Sequence, residues 1–82
     1  MAGKPEVILY SRHDCHLCDV AKETLLQASH SAEFSLQVVD IDGDPDLRIR
    51  FNEEVPVVFI NGTKAFKYRV SESEFLRKLC AR

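Results

Sequence analysis

The sequence predicts one α/β domain, in which three helices flank a mixed four-stranded sheet, and three observations predict it. A strand–helix–strand order opens the chain, which usually gives a parallel strand pair with a right-handed crossover. Asn61 and Gly62 follow an apolar run and predict an antiparallel hairpin, because both residues tolerate positive φ. Ser71 and Glu74 form a capping box that begins a last helix.

The first half of the chain predicts two strands and one helix. Residues 6–10 are continuously apolar after the first position, which predicts a strand buried on both faces. A polar loop leads to a helix over 15–29, in which apolar residues recur three and four positions apart. The predicted buried stripe of this helix consists of Leu17, Val20, Ala21, Thr24, Leu25 and Ala28. Alternating apolar and polar residues over 34–41 predict the second strand.

The second half predicts a short helix, the hairpin and the last helix. Asp44 is a suitable N-cap and Pro45 a suitable first helical residue, so a helix is expected to about residue 52. Residues 57–60 and 63–67 are the two strands of the hairpin. The apolar residues of the last helix fall on one face, which includes Cys80. Cys80 is therefore expected to be a buried, inert thiol.

Length and composition restrict the kind of protein. Eighty-two residues suffice for one domain, so we expect residues 1–82 to fold as a unit. A hydrophobic fraction of 45% and a charged fraction of 29% are those of ordinary globular proteins. The net charge of −2 gives no electrostatic reason to expect nucleic acid or an anionic membrane as a partner. Residues 1–6 lack the apolar stretch of a signal peptide, so we expect a cytoplasmic protein. We also expect the protein to be a monomer.

The most informative motif is the C-x-x-C of Cys15 and Cys18 at the strand-to-helix junction. In a reducing compartment, paired cysteines indicate metal binding or redox catalysis more often than a structural disulfide. The flanking His13 and His16 offer further zinc ligands, but four protein ligands within so short a loop are geometrically difficult. The junction therefore favours a dithiol redox site, and we expect no metal.

The position of Cys15 at a helix N-terminus favours the thiolate, the form that attacks disulfides. Arg12 adds a fixed positive charge nearby. Three further neighbours are expected to modulate the sulfur, namely His13 and His16 by partial positive charge and Asp14 by opposing negative charge. Cys18 lies one turn further into the helix and is expected to resolve the mixed disulfide that Cys15 forms.

Val55 and Pro56 are the predicted second half of the site. A proline before a buried strand cannot donate a hydrogen bond to the sheet. A cis Val55–Pro56 bond would explain its position, and a simple strand-entry proline is the alternative. If the bond is cis, we expect the Val55 backbone to be unpaired and able to bond an extended peptide or thiol substrate.

Residues 8–12 followed by C-x-x-C, and the later segment 55–62, resemble the glutaredoxin branch of the thioredoxin superfamily over nearly the whole chain. The acidic segment 39–45 is similar to that of the short glutaredoxin-like proteins. The resemblance implies a thioredoxin-like fold with strand order 2-1-3-4 and a cis Pro56. It further implies that Cys15 is the nucleophile and Cys18 the resolving cysteine, and that Arg12 meets a glutathione carboxylate.

Three positions differ from the pattern of that family. Glutaredoxins commonly have proline and an aromatic residue between the cysteines, where this chain has His16 and Leu17. Glu54 replaces the threonine that usually precedes Val-Pro. The Gly-Gly pair of the glutathione motif is missing, and the bulky segment 66–69 stands in its place.

The leading hypothesis is a thiol–disulfide oxidoreductase that takes part in electron transport and cell redox homeostasis. Its expected partners are protein or low-molecular-weight disulfides, with glutathione as co-substrate or a thioredoxin-type reductase as electron donor, and no tightly bound cofactor. Two alternatives stay open. One is a carrier that binds metal or an iron–sulfur cluster through Cys15 and glutathione. The other is a redox-inert module that holds peptides at Val55 and the sheet surface.

Overall fold

The computed structural model describes residues 4–80 and gives the predicted order of helices and strands. The elements are β1 (Glu6–Ser11), α1 (His16–Ala28), β2 (Ser35–Asp40), a 3₁₀ turn (Ile41–Gly43), α2 (Pro45–Phe51), β3 (Val57–Ile60), β4 (Thr63–Lys67) and α3 (Glu72–Cys80). The predicted boundaries of the four strands, α1 and α2 agree with the structure to within one residue, while the 3₁₀ turn was not predicted. The strands form one sheet in the order β2-β1-β3-β4, which confirms the thioredoxin-like topology.

The strand pairing places two loops at one end of the sheet. β1 pairs with β2 in parallel and with β3 antiparallel, and Tyr10 of β1 lies opposite Val57 of β3. β3 and β4 form the antiparallel hairpin. Because β1 runs towards this end and β3 starts from it, the loop that carries Cys15 and the segment that carries Pro56 meet there.

Helices cover both faces of the sheet. The larger core packs α1 and α3 against one face and consists of Val7, Leu9, Ala21, Leu25, Ala28, Phe34, Val58, Ile60, Phe75 and Leu79. On the other face, Ile41 and Phe51 of the 3₁₀ turn and α2 pack against Val57. The Tyr10 ring lies on this second face, with its centroid 4.9 Å from that of Phe51. The predicted burial of β1 on both faces is therefore only partial: Val7 and Leu9 are buried on the first face, whereas Ile8 and Tyr10 on the second face are half-buried.

The turn and capping residues act as the sequence predicts. Asn61 and Gly62 have φ values of 49° and 84°, as a tight hairpin turn requires. The Asp44 carboxylate accepts the backbone N–H of Asp46 at 2.9 Å and so caps α2. Ser71 Oγ accepts the N–H of Glu74 at 3.4 Å at the start of α3, which is one of the two hydrogen bonds of the predicted capping box.

Two predictions about buried side chains are wrong. Leu17 and Val20 are 39% and 47% exposed, since the buried stripe of α1 is centred on Cys18, Ala21, Leu25 and Ala28. Cys80 is exposed. It is the last residue of α3, and one residue beyond Leu79 the helix has rotated it off the buried face. None of the helices within residues 4–80 has the length and apolar composition needed to cross a membrane.

Candidate active site

Cys15 and Cys18 are joined as a disulfide at the start of α1. Cys15 is the N-cap residue, with extended backbone, and its Sγ accepts the N–H of Cys18 at 3.2 Å. The Cα atoms of the two cysteines are 5.2 Å apart, a normal separation for a disulfide. Cys15 is partly exposed, whereas Cys18 is only 3% exposed. A substrate can therefore reach the Cys15 sulfur more readily than the Cys18 sulfur.

The three predicted modulating residues flank Cys15 in the chain, and all three are exposed. His13 Nε2 lies 3.7 Å from Asp14 Oδ1, and both side chains are largely exposed. Asp14 has a positive φ of 56°, which turns the chain into the helix. His16 is the first residue of α1 and is exposed. Their influence on the sulfur stays a prediction.

Arg12 lies between β1 and Cys15, and its guanidinium contacts other parts of the chain. One terminal nitrogen donates to Asn52, to the carbonyl oxygen at 3.1 Å and to Oδ1 at 2.8 Å. The other donates to Asp42 Oδ1 at 3.0 Å. These partners were not predicted. They lie 30 and 40 residues away in the chain, so no local spacing could have indicated them.

The Val55–Pro56 bond is cis, as predicted, and Pro56 is buried. The prediction that the whole Val55 backbone is unpaired is wrong, because its N–H donates to the Phe51 carbonyl at 3.2 Å in the turn that ends α2. Within residues 4–80, the Val55 carbonyl accepts no hydrogen bond. This carbonyl is the backbone group of Val55 that is available to a substrate.

Glu54 does not place an uncompensated negative charge beside Pro56. Its carboxylate forms an ion pair with Lys64 of β4. The hydrogen bond from Lys64 lowers the pKa of Glu54, partial burial of the carboxyl opposes this effect, and the charges of Lys64 and Lys67 lower the pKa further. The pair joins the segment before Pro56 to the edge strand of the sheet.

Tyr68 lies directly after β4, in the bulky segment 66–69, and it adopts a backbone conformation that glycine prefers. Its φ is 69°. Its N–H donates to the Pro56 carbonyl at 2.8 Å and to the Glu54 carbonyl at 3.3 Å. The side chain is 45% exposed. A bulky residue thus occupies the backbone position beside the cis-proline, and the missing glycine pair was the only signal of it in the sequence.

A groove of about 640 Å³ runs along α2 and reaches Asn52 and Glu54. None of the described residues that line it is a cysteine, so the groove is not the dithiol site itself. Among residues 4–80, no group of three or more His, Cys, Asp or Glu side chains is arranged to hold a metal ion.

Known proteins with similar sequences and folds agree with this description. An uncharacterized protein of Mycobacterium tuberculosis is 31% identical over 75 residues, which cover 85% of this chain and 77% of the relative. The crystal structure of protein XcR50 from X. campestris has a TM-score of 0.79 and 32% identity, and the match covers 93% of this chain and 97% of that one. Mitochondrial thioredoxin 3 from Saccharomyces cerevisiae shares the fold alone, with a TM-score of 0.70 at 14% identity over 94% of this chain and 77% of that one.

The family model of the glutaredoxin-like domain (DUF836) matches residues 6–80. This match spans every strand and helix, including the two cysteines and the cis-proline. The thioredoxin-like fold, with Cys15 and Cys18 in contact at the start of a helix, fits a redox function. The chain therefore belongs to the glutaredoxin-like domain family (DUF836) and has a thioredoxin-like fold.

Proposed function

We propose that the protein is a dithiol thiol–disulfide oxidoreductase, with Cys15 as the nucleophile and Cys18 as the resolving cysteine. The observation that carries this proposal is the N-cap position of Cys15. Its sulfur accepts the Cys18 N–H at the positive end of the α1 dipole, an arrangement that stabilises an anionic sulfur. The difference in exposure between the two cysteines supports the assignment of roles.

The reaction balances as two successive thiol–disulfide exchanges. The Cys15 thiolate attacks one sulfur of the substrate disulfide, forms a mixed disulfide and releases the first substrate thiolate. The Cys18 thiolate then attacks the Cys15 sulfur and releases the second substrate thiolate. The substrate gains two electrons, and the protein is left with the Cys15–Cys18 disulfide.

The substrate is a protein disulfide or a low-molecular-weight disulfide in the cytoplasm, and glutathione or a thioredoxin-type reductase restores the dithiol. In this proposal, a monomer without a tightly bound cofactor carries out the cycle. The Val55 carbonyl accepts no hydrogen bond from residues 4–80 and lies at the same end of the sheet as Cys15, and it is the group that binds the substrate backbone. The bulky segment 66–69 lacks the usual glycine pair, and the N–H of Tyr68 in this segment donates to the Pro56 carbonyl, which favours a thioredoxin-type reductase over glutathione as the electron donor.

Single cysteine variants test the assignment. With the pre-reduced protein as the electron donor and hydroxyethyl disulfide as substrate, Cys15→Ser should release no mercaptoethanol, because it lacks the attacking sulfur. Cys18→Ser should form a stable mixed disulfide at Cys15, detectable by mass spectrometry, because no second sulfur can release the product. Cys80→Ser is the matched control and should retain wild-type turnover, since Cys80 lies at the far end of α3. Turnover by Cys15→Ser, or a mixed disulfide trapped at Cys18, would overturn the proposal.

A further inference from the structure

The guanidinium of Arg12 is already engaged within the protein. It makes three hydrogen bonds, two to Asn52 and one to Asp42, with donor–acceptor distances between 2.8 and 3.1 Å. These account for three of the five donors that a guanidinium offers. The arginine side chain is 28% exposed. Charge-assisted hydrogen bonds of this kind are shorter and stronger than neutral ones.

These contacts join three segments at the dithiol end of the sheet. Arg12 belongs to the loop that presents Cys15, and Asn52 follows α2 directly before the segment that leads to Pro56. Asp42 belongs to the 3₁₀ turn after β2 and also accepts from Arg48 Nε of α2 at 3.4 Å. The network of Arg12, Asp42, Arg48 and Asn52 therefore fixes the Cys15 loop relative to the cis-proline segment.

We propose that Arg12 is a positioning residue, which holds Cys15 at the correct place beside the cis-proline segment, rather than the binding group for a substrate carboxylate. The inference rests on the proposed function, because it concerns the geometry in which Cys15 attacks. A loosened Cys15 loop would slow attack on every disulfide, whether charged or neutral. Lysine cannot replace the arginine, since an ammonium group lacks the planar fork that reaches Asn52 and Asp42 together.

Two substrates of different charge distinguish positioning from carboxylate binding. Hydroxyethyl disulfide is neutral, and the mixed disulfide of glutathione and mercaptoethanol carries carboxylates. We expect Arg12→Gln to lower kcat/KM for both by roughly tenfold to a hundredfold, the range that small misplacements of reacting groups produce. Arg12→Lys should not restore the rate. Arg77→Gln is the matched control, because Arg77 pairs with Glu74 on α3 and touches nothing at the dithiol.

The Asp42→Asn variant should change the activity toward the glutathione mixed disulfide in opposite directions under the two explanations. If Arg12 positions the loop, this variant lowers kcat/KM for both substrates, and combining it with Arg12→Gln adds little further loss, because both changes remove the same contact. If Arg12 binds substrate carboxylates, Asp42→Asn frees the guanidinium and lowers KM for the glutathione mixed disulfide. A loss in Arg12→Gln that is confined to KM for the anionic substrate would also overturn the inference.

Amide hydrogen exchange tests positioning without relying on catalysis. The N–H groups of Cys18 and Val55 report on the two segments that Arg12 joins. Both should exchange several times faster in Arg12→Gln than in Arg77→Gln, and equal rates in the two variants would overturn the inference. Wild-type protein that reduces neither disulfide would refute the proposed function, and the exchange rates would still decide whether Arg12 positions the loop.

Discussion

Among single residues, Tyr68 holds a backbone conformation that costs a residue with a Cβ atom roughly 1–2 kcal/mol. Its φ is 69°, and its N–H is fixed by the Pro56 carbonyl. We therefore expect Tyr68→Gly to be more stable than Tyr68→Ala by about 1 kcal/mol, because glycine adopts this conformation without the penalty. Urea unfolding of the two variants, with the free energies of unfolding extrapolated to water, measures this difference.

Ala65 provides the control for this comparison. It lies in the middle of β4, where the backbone is extended. Ala65→Gly should lower the free energy of unfolding by roughly 0.5–1 kcal/mol, the opposite sign. A Tyr68→Ala variant as stable as Tyr68→Gly would contradict the view that the left-handed backbone is costly here.

Arg12 shows why individual site residues are harder to predict than the fold. The sequence places a basic residue three positions before Cys15, and this much is visible without a structure. The partners Asp42 and Asn52 meet it only because β1, the 3₁₀ turn and α2 converge at one end of the sheet. No repeat or residue spacing in the sequence indicates that these elements converge. The family resemblance could therefore imply only a ligand-binding role for Arg12.

Between elements, the Glu54–Lys64 ion pair joins the cis-proline segment to β4. Since the pKa of Glu54 is lowered in the folded state, the pair stabilises the fold above the ordinary pKa range of glutamate. This contribution is lost as the pH falls through the lowered pKa. The difference in urea midpoint between wild type and Lys64→Met should therefore be largest at neutral pH and shrink on acidification.

A variant that cannot titrate at this position is the control. In the Glu54→Gln background, Lys64→Met should change the urea midpoint by an amount that does not depend on pH. If the difference in urea midpoint between wild type and Lys64→Met is also independent of pH from neutral to acid, the Glu54 carboxylate is not the group that Lys64 stabilises.

The elements themselves were predictable because their signals are local. Asp44 before Pro45, and Asn61 before Gly62, determine a helix start and a hairpin within a few residues. The exposed Leu17 shows the limit of such signals. Helical spacing indicates which residues share a face, but the width of the buried part depends on how α3 and the sheet cover the helix.

For the molecule as a whole, stability depends on the larger core between the sheet, α1 and α3. Leu25 and Leu26 are adjacent leucines of α1, 0% and 45% exposed respectively. We expect Leu25→Ala to cost about 2–5 kcal/mol, because it removes packed methyl groups and leaves a cavity. Small domains have only about 5–15 kcal/mol in total, so this variant should unfold at much lower urea concentration or temperature.

Leu26→Ala is the control on the same helix, with the same chemical change at an exposed site. It should stay within about 0.5 kcal/mol of wild type. Equal losses in both variants would contradict the view that core packing around Leu25 determines the stability of α1, since helix propensity alone favours alanine over leucine.

The central claim is that Cys15 and Cys18 interconvert between dithiol and disulfide as one redox couple. Equilibration in buffers of graded thiol–disulfide potential, followed by acid quenching, alkylation and peptide mapping by mass spectrometry, tests it directly. We expect a single two-electron transition in which a Cys15–Cys18 linkage replaces two alkylated cysteines, while Cys80 stays alkylated throughout. Absence of that linkage at every physiological potential would contradict the claim.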